Sequence, residues 1–231
     1  MNTKAVIDKR DHKNREAFLC SFLILWFLFF WGEEELTSEQ ECFFRSLEKD
    51  RAIASIKNPK AFDQFLQMDI QSAFLMFGNI TVIKRYVDLL KKEGKFVFIH
   101  VEKIAGISND KEGIRFISHY LNPTGIITTK SSIVKMAKQE NLLTIQRLFL
   151  VDSDAVNHGI ETAQEIRPDA LEVMPGLMPD MIKKINSHSN IPIITGGLFD
   201  RRSQMRDALE AGAFAVSSGN PKLWKSFIAI Q

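Results

Sequence analysis

The sequence predicts an α/β fold, a compact (βα)8 TIM-type barrel, on three observations. From Arg51 onward, short apolar runs alternate with amphipathic segments, eight of each. The runs are continuous rather than alternating, as in FVFIHV and IPIIT, which suits parallel strands covered on both faces, and the helices between them supply the crossovers that parallel pairing needs. No long Gly-, Ser- or Pro-rich linker interrupts residues 51–231, so they read as one domain. A doubly wound open sheet is the runner-up.

The elements follow in order. The first strand is AIASI at Ala52–Ile56, followed by a helical pattern over Pro59–Met68. AFLMF at Ala73–Phe77 precedes the helix Val82–Lys92, and FVFIHV at Phe96–Val101 precedes Lys111–Tyr120. GIITT at Gly125–Thr129 leads to Ile133–Glu140, and LTIQRLFLV at Leu143–Val151 to Ala155–Ile166. ALEVM at Ala170–Met174 leads to Pro179–Asn186, IPIIT at Ile191–Thr195 to Arg202–Glu210, and AFAVS at Ala213–Ser217 to a last helix starting near Pro221. Eight such units close naturally into a barrel.

Composition agrees with a folded globular chain: 231 residues, 45% hydrophobic and 25% charged. A formal net charge of +2 permits phosphorylated or nucleic-acid ligands without demanding them. Cys20 and Cys42 have neither zinc-ligand spacing nor a Cys-x-x-Cys, so a disulfide scaffold is excluded and a reducing cytoplasm is the expected setting.

Residues 1–50 read as an N-terminal extension. Within it, the fifteen residues Ala17–Trp31 carry Ser21 as their sole non-apolar residue. A helix of that length covers only about 22 Å of a hydrocarbon core about 30 Å thick. Trp31-Gly32-Glu33 offers no small-residue cleavage site, so export is not expected. The stretch reads as an appendage foreign to the domain, as a membrane-associated segment, or as an apolar docking helix.

Ligands of such barrels bind at the carboxyl ends of the strands, so the residues that follow each apolar run are the candidates. Strand seven ends in Thr195-Gly196-Gly197 and strand eight in Ser217-Ser218-Gly219. Together they place bare amides and hydroxyls where an anion is held by backbone N–H groups. Gly196, Gly197, Ser217 and Ser218 are therefore the phosphate candidates, with Lys130, at the end of strand four, as counter-charge. A tight turn is the simpler reading of Gly196-Gly197 taken alone. His100, Glu102, Arg147, Asp152 and Glu172 supply polar groups at neighbouring strand ends. For Arg147 and Glu172 a buried structural ion pair is an equal alternative. His-x-His, His-Glu-x-x-His and nucleophile-elbow patterns are missing, so neither a metal site nor a catalytic triad is expected.

The segments HVEKIAGISND, GIITTK, TIQRLFLVDSDA, RPDALEVMPGLMP, IPIITGGL and AGAFAVSSGNPKLW, in order between Arg51 and Trp224, resemble the glycerol-3-phosphate-responsive antiterminator family. The resemblance implies a cytoplasmic, non-enzymatic (βα)8 regulator without a cofactor. Such a regulator senses glycerol-3-phosphate and binds the leader mRNA of a glycerol operon. Gly196, Gly197, Ser217, Ser218 and Lys130 or Arg147 would then face the phosphate, and His100, Glu102, Asp152 and Glu172 the glycerol hydroxyls. The sequence departs from the family pattern at Glu102, at Ala105, and in its strand-eight ending, Ser217-Ser218-Gly219. For RNA, Lys91-Lys92, Lys183-Lys184, Arg201-Arg202, Arg206 and Trp224 are the candidates. Self-association into a homo-oligomer is left open. The rival function is an enzyme acting on a small phosphorylated substrate such as glycerol phosphate.

Overall fold

The computed structural model describes residues 38–227; the apolar stretch Ala17–Trp31 lies outside them. Among the described residues, eight parallel strands close into a barrel in sequence order. These are β1 Ala52–Ile56, β2 Ser72–Leu75, β3 Phe96–His100, β4 Gly125–Thr128, β5 Leu143–Phe149, β6 Ala170–Met174, β7 Ile193–Gly196 and β8 Ala215–Ser218. The helices are α1 Ser38–Asp50, α2 Pro59–Leu66, α3 Ile83–Lys92, α4 Lys111–Arg115, α5 Ser131–Gln139, α6 Ser153–Ile166, α7 Pro179–His188, α8 Arg202–Glu210 and α9 Pro221–Phe227. The predicted barrel is therefore the observed one, and each predicted strand overlaps an observed strand. The helix expected over Lys111–Tyr120 divides: α4 ends at Arg115 and passes into a π-helical stretch over Phe116–Leu121, which closes with an Asn122 N–H donating to the Ile117 carbonyl at 2.9 Å.

Successive strand residues point to opposite faces. On the outer face Ala52, Ala54, Ile56, Val97, Ile99, Leu171, Val173 and Val216 join one apolar layer with Phe65, Val87, Ile117, Ile182, Met205 and Trp224 of the surrounding helices and loops. The alternate residues Ile53, Phe74, Phe98, Ile127, Ile145 and Ile194, all buried, fill the interior. Several helices start with recognisable caps. The Asn58 side chain accepts from the Ala61 N–H and is followed by Pro59 at the first helical position, and Asp110 accepts from the Gly113 N–H.

The first helix lies within residues that the sequence assigned to the extension. α1 opens with Ser38-Glu39-Gln40-Glu41 and buries Phe43, Phe44 and Leu47. The Phe43 ring lies 4.8 Å from Phe98 and 5.7 Å from Phe96, and Phe44 lies 6.0 Å from Phe214. Phe96 opens β3 and Phe214 precedes β8, so the helix covers the amino-terminal end of the barrel. Two polar contacts fix it there: Gln40 donates to Asp169 at 2.6 Å, and Asp50 accepts from the Gln71 N–H at 2.7 Å. Burial pushes the Asp169 carboxyl above its ordinary range, against hydrogen bonds from the Thr144 hydroxyl and amide. The described residues accordingly form one compact unit.

Truncating the seal tests its weight. Phe43→Ala removes a fully buried aromatic ring and is expected to lower stability by about 3–5 kcal/mol in urea unfolding. A loss below about 1 kcal/mol would show that α1 is an ornament of the barrel rather than its lower wall.

Candidate ligand site

At the carboxyl ends of the strands a cavity of about 590 Å³ is lined by Lys57, Met76, His100, Glu102, Lys103, Thr129, Arg147, Phe149 and Met174. Its lining comes from the ends of β1 to β6, and three of the residues are cationic.

Beneath it lies a buried charge. Glu172, on β6, is fully buried; its Oε2 accepts from Arg147 Nε at 2.5 Å and its Oε1 from the Ser217 hydroxyl at 2.6 Å. The barrel register makes this contact: Arg147 on β5 stands beside Glu172, and Ser217 on β8 beside Gly196 on β7. Gly196 has to lack a side chain, because a Cβ would collide with the Ser217 hydroxyl. The ion pair left open by the sequence is thus realised, with Ser217 as a third member, and Arg147 also lines the cavity.

A second cluster stands where β3 and β4 end. His100 Nδ1 lies 3.0 Å from Glu102 Oε2. Glu102 Oε1 accepts from the Thr128 hydroxyl at 2.5 Å, the Thr129 N–H at 3.2 Å and the Thr129 hydroxyl at 3.3 Å. Burial raises the Glu102 pKa, but the hydrogen bonds from His100 and Thr128, with lesser help, outweigh it and bring the group from the ordinary 4.5 down to about 2. Glu102 is therefore a carboxylate throughout the neutral range.

The ends of β7 and β8 carry the glycines. Gly197 has φ +80°, where a side chain is strained, and a Cβ on it would come within 2.6 Å of Met174 Cε. Among the described residues, the N–H groups of Gly197 and Gly219 find no protein acceptor. A Cβ on Gly219 would lie 3.0 Å from Lys57 Nζ, so the lysine that ends the first strand leans over the end of the eighth. Ser218 turns its hydroxyl to the Asn220 N–H at 3.1 Å, and its carbonyl accepts from the Trp224 indole at 2.8 Å.

Of the residues singled out from the sequence, His100, Glu102 and Arg147 line the cavity, and Glu172 and Ser217 lie under it. Gly196, Gly197 and Ser218 occupy the adjoining strand ends. Two stand elsewhere. Asp152 is exposed and caps α6 by accepting from the Ala155 N–H at 2.8 Å. Lys130 is exposed, immediately precedes α5 and does not line the cavity. Lys57, Met76 and Phe149 were missed. Lys57 follows β1 directly, so the strand-end rule applied to the first strand would have found it. Trp224, a candidate for stacking on RNA, is fully buried, whereas Lys91, Lys92, Lys183, Lys184, Arg201 and Arg206 are exposed. Among the described residues no group of three or more His, Cys, Asp or Glu side chains could hold a metal ion. Nor is any helix among them long and apolar enough to cross a membrane.

A cation-bearing cavity at the carboxyl ends of the strands stands where (βα)8 barrels as a class bind small molecules. Kinship narrows that class. The glycerol-3-phosphate responsive antiterminator family matches residues 52–224, and the chain belongs to that family. It is 33% identical over 178 residues to the uncharacterized Escherichia coli protein YgcP, covering 77% of this chain and 93% of the relative. Among solved structures, the glycerol uptake operon antiterminator regulatory protein of Listeria monocytogenes is 33% identical, with a TM-score of 0.73 over 75% of this chain and 94% of the other. A glycerol uptake operon antiterminator-related protein of Thermotoga maritima is 28% identical, with a TM-score of 0.68 over 75% of this chain and 97% of the other.

The depressed Glu102 carboxyl has a pH consequence. A group whose folded pKa lies below its unfolded value contributes stability that is complete above the unfolded value, here about 4.5, and is lost as pH falls toward about 2. Between those limits the wild-type chain should lose stability more steeply than Glu102→Gln, which has no proton to gain. Parallel slopes in acid unfolding would contradict the assigned hydrogen bonds.

Proposed function

We propose that this barrel is a sensor of glycerol-3-phosphate that, when loaded, binds the leader mRNA of a glycerol operon and prevents premature termination. The observation that carries the reading is the cavity of an antiterminator-family barrel furnished with Lys57, Lys103 and Arg147 beside unpaired strand-end amides. The phosphate belongs at the ends of β7, β8 and β1. There Lys57 leans over Gly219, and the Gly196-Gly197 and Ser217-Ser218-Gly219 strand ends offer the Gly197 and Gly219 N–H groups, which have no protein acceptor among the described residues. Free backbone donors with a flexible ammonium form the usual grip on a phosphate dianion. The glycerol hydroxyls then point across the mouth to His100 and Glu102, with Arg147 between. No cofactor or metal has a part in this reading.

For RNA, the exposed lysines and arginines on α3, α7 and α8 are the available cations, and leader binding is inferred from family membership. The enzyme reading has one observation in its favour: an imidazole oriented by a carboxylate at the cavity wall, an arrangement suited to acid–base chemistry.

Calorimetric titration of the full chain with sn-glycerol 3-phosphate should give saturable heat. Lys57→Ala should weaken binding at least tenfold, about 1.4 kcal/mol. Absence of binding at millimolar ligand, or unchanged affinity in that variant, refutes the proposed pocket. In a mobility-shift assay, leader RNA should be retarded by the chain only when the ligand is present, and the shift should weaken steeply with salt. Turnover of the ligand without any retardation would favour the enzyme.

A further inference from the structure

Exposed apolar side chains gather in one sector of the barrel's mouth. Of the nine large ones among the described residues, five stand at three consecutive strand ends: Phe149 and Val151 at β5, Leu177 and Met178 at β6, and Leu198 at β7. They form one patch, because the chain segments that carry them touch. The Leu150 N–H donates to the Met174 carbonyl at 2.8 Å, and the Gly176 N–H to the Gly196 carbonyl at 2.6 Å. The Phe199 ring lies against Gly176, and Met174 Cε against Gly197. Leu198 is held at φ +60°, a left-handed conformation that a leucine enters under strain, and still leaves 74% of its surface in solvent. A contiguous exposed patch of this kind marks an interaction surface.

Charge flanks the patch in a definite order. On the β5 side Asp154, in the first turn of α6, is exposed and has no ion pair among the described residues. On the β7 side Arg202, the first residue of α8, has no carboxylate partner among them, and its Nε finds no acceptor. Its neighbour Arg201 is engaged by Asp200 at 3.3 Å. The rim therefore reads acid, hydrocarbon, base. Nucleic acid fits such a face badly, because Asp152, Asp154, Asp180 and Asp200 are all exposed at these strand ends and would meet its phosphates. A second copy of the chain fits it. A twofold axis beside Leu177 and Met178 lays the β5 end of each copy on the β7 end of the other, so hydrocarbon meets hydrocarbon and acid meets base twice.

We propose that the chain forms a twofold-symmetric dimer through this sector, with Phe149, Val151, Leu177, Met178 and Leu198 at its centre and reciprocal Asp154–Arg202 ion pairs at its rim. The apolar centre supplies the affinity, and the exposed ion pairs set the register in which the two copies meet. Phe149 also lines the cavity, so the partner copy stands beside the ligand on its β5 side. The dimer does not depend on which molecule fills that cavity.

Sedimentation equilibrium of the full chain at micromolar concentration should give twice the 26.4 kDa mass of one chain. Leu198→Asp, whose new side chain suits the left-handed backbone, should raise the dissociation constant at least tenfold. Asp154→Arg and Arg202→Glu should each weaken the dimer comparably, because each sets like charges opposite one another twice. In a dimer of one variant with the other, both rim pairs again join opposite charges. An equimolar mixture of the two should therefore associate at least tenfold more tightly than either alone, and that recovery also shows that both variants are folded. A wild-type chain that stays at 26.4 kDa up to high micromolar concentration overturns the proposal. So does self-association that Leu198→Asp leaves unchanged, which would assign it to another part of the chain such as the apolar stretch Ala17–Trp31. Two weakened variants that do not rescue each other on mixing overturn the twofold pairing.

Discussion

The organisation of this barrel's mouth depends on one buried carboxylate. Glu172 is fully enclosed and holds Arg147 from β5 and the Ser217 hydroxyl from β8, so three strands meet on its two oxygens. A charge so placed is costly, and a well-packed apolar substitute is often neutral or more stable. The interior below it shows that alternative already in use: Phe74, Phe98, Ile127, Ile145 and Ile194 fill the space with hydrocarbon. What the carboxylate provides is position. It sets the guanidinium of Arg147 at the cavity floor without leaving it mobile, and it requires Gly196 to be bare so that Ser217 can reach inward.

The two ends of the barrel are built on opposite principles. The amino end is sealed by α1, whose Phe43 and Phe44 stack edge-on and tilted against Phe96, Phe98 and Phe214. Burying large rings there is a favourable term with no polar cost. The carboxyl end carries the unpaired amides, the His100–Glu102 pair and the lysines. Placing recognition on strand ends supported by a hydrocarbon base is what lets this fold hold polar groups in fixed positions.

The barrel was legible in the sequence because parallel strands buried on both faces are continuous apolar runs, and eight of them survive as β1–β8 with shifts of a few residues at their ends. The lower seal was not. Ser38-Glu39-Gln40-Glu41 is a capping-box pattern and Phe43, Phe44 and Leu47 lie on one helical face, but the strongly apolar Ala17–Trp31 nearby drew residues 1–50 into a single extension. At the mouth, counting past each strand end finds the right neighbourhood and not the right direction. Arg147 and Phe149 share the inward face of β5, whereas Asp152, three residues beyond Phe149, has become the cap of α6. Lys130, the residue before α5, is exposed and lies outside the cavity lining. Gly196-Gly197 read as a place where a ligand approaches the backbone closely; what stands against Gly196 is the Ser217 hydroxyl, and against Gly197 the Met174 side chain. Lys57 escaped notice because its neighbours Asn58 and Pro59 announce a helix start, which draws attention away from the lysine before them.

On the proposed pose, a ligand has its anionic end against β7, β8 and β1 and its hydroxyl end against β3 and β4, so it spans the mouth. A ligand shifts a conformational balance only by the difference in its affinity for the two states. A small molecule that touches one side of a rigid barrel has little such difference to offer. One that bridges opposite strand ends does, because every arrangement in which those ends stand further apart loses a contact. Lys57 is a long side chain over Gly219, while His100 lies 3.0 Å from Glu102 and Arg147 is hydrogen-bonded to Glu172. In that pose the fixed groups would select the molecule and Lys57 would close upon it.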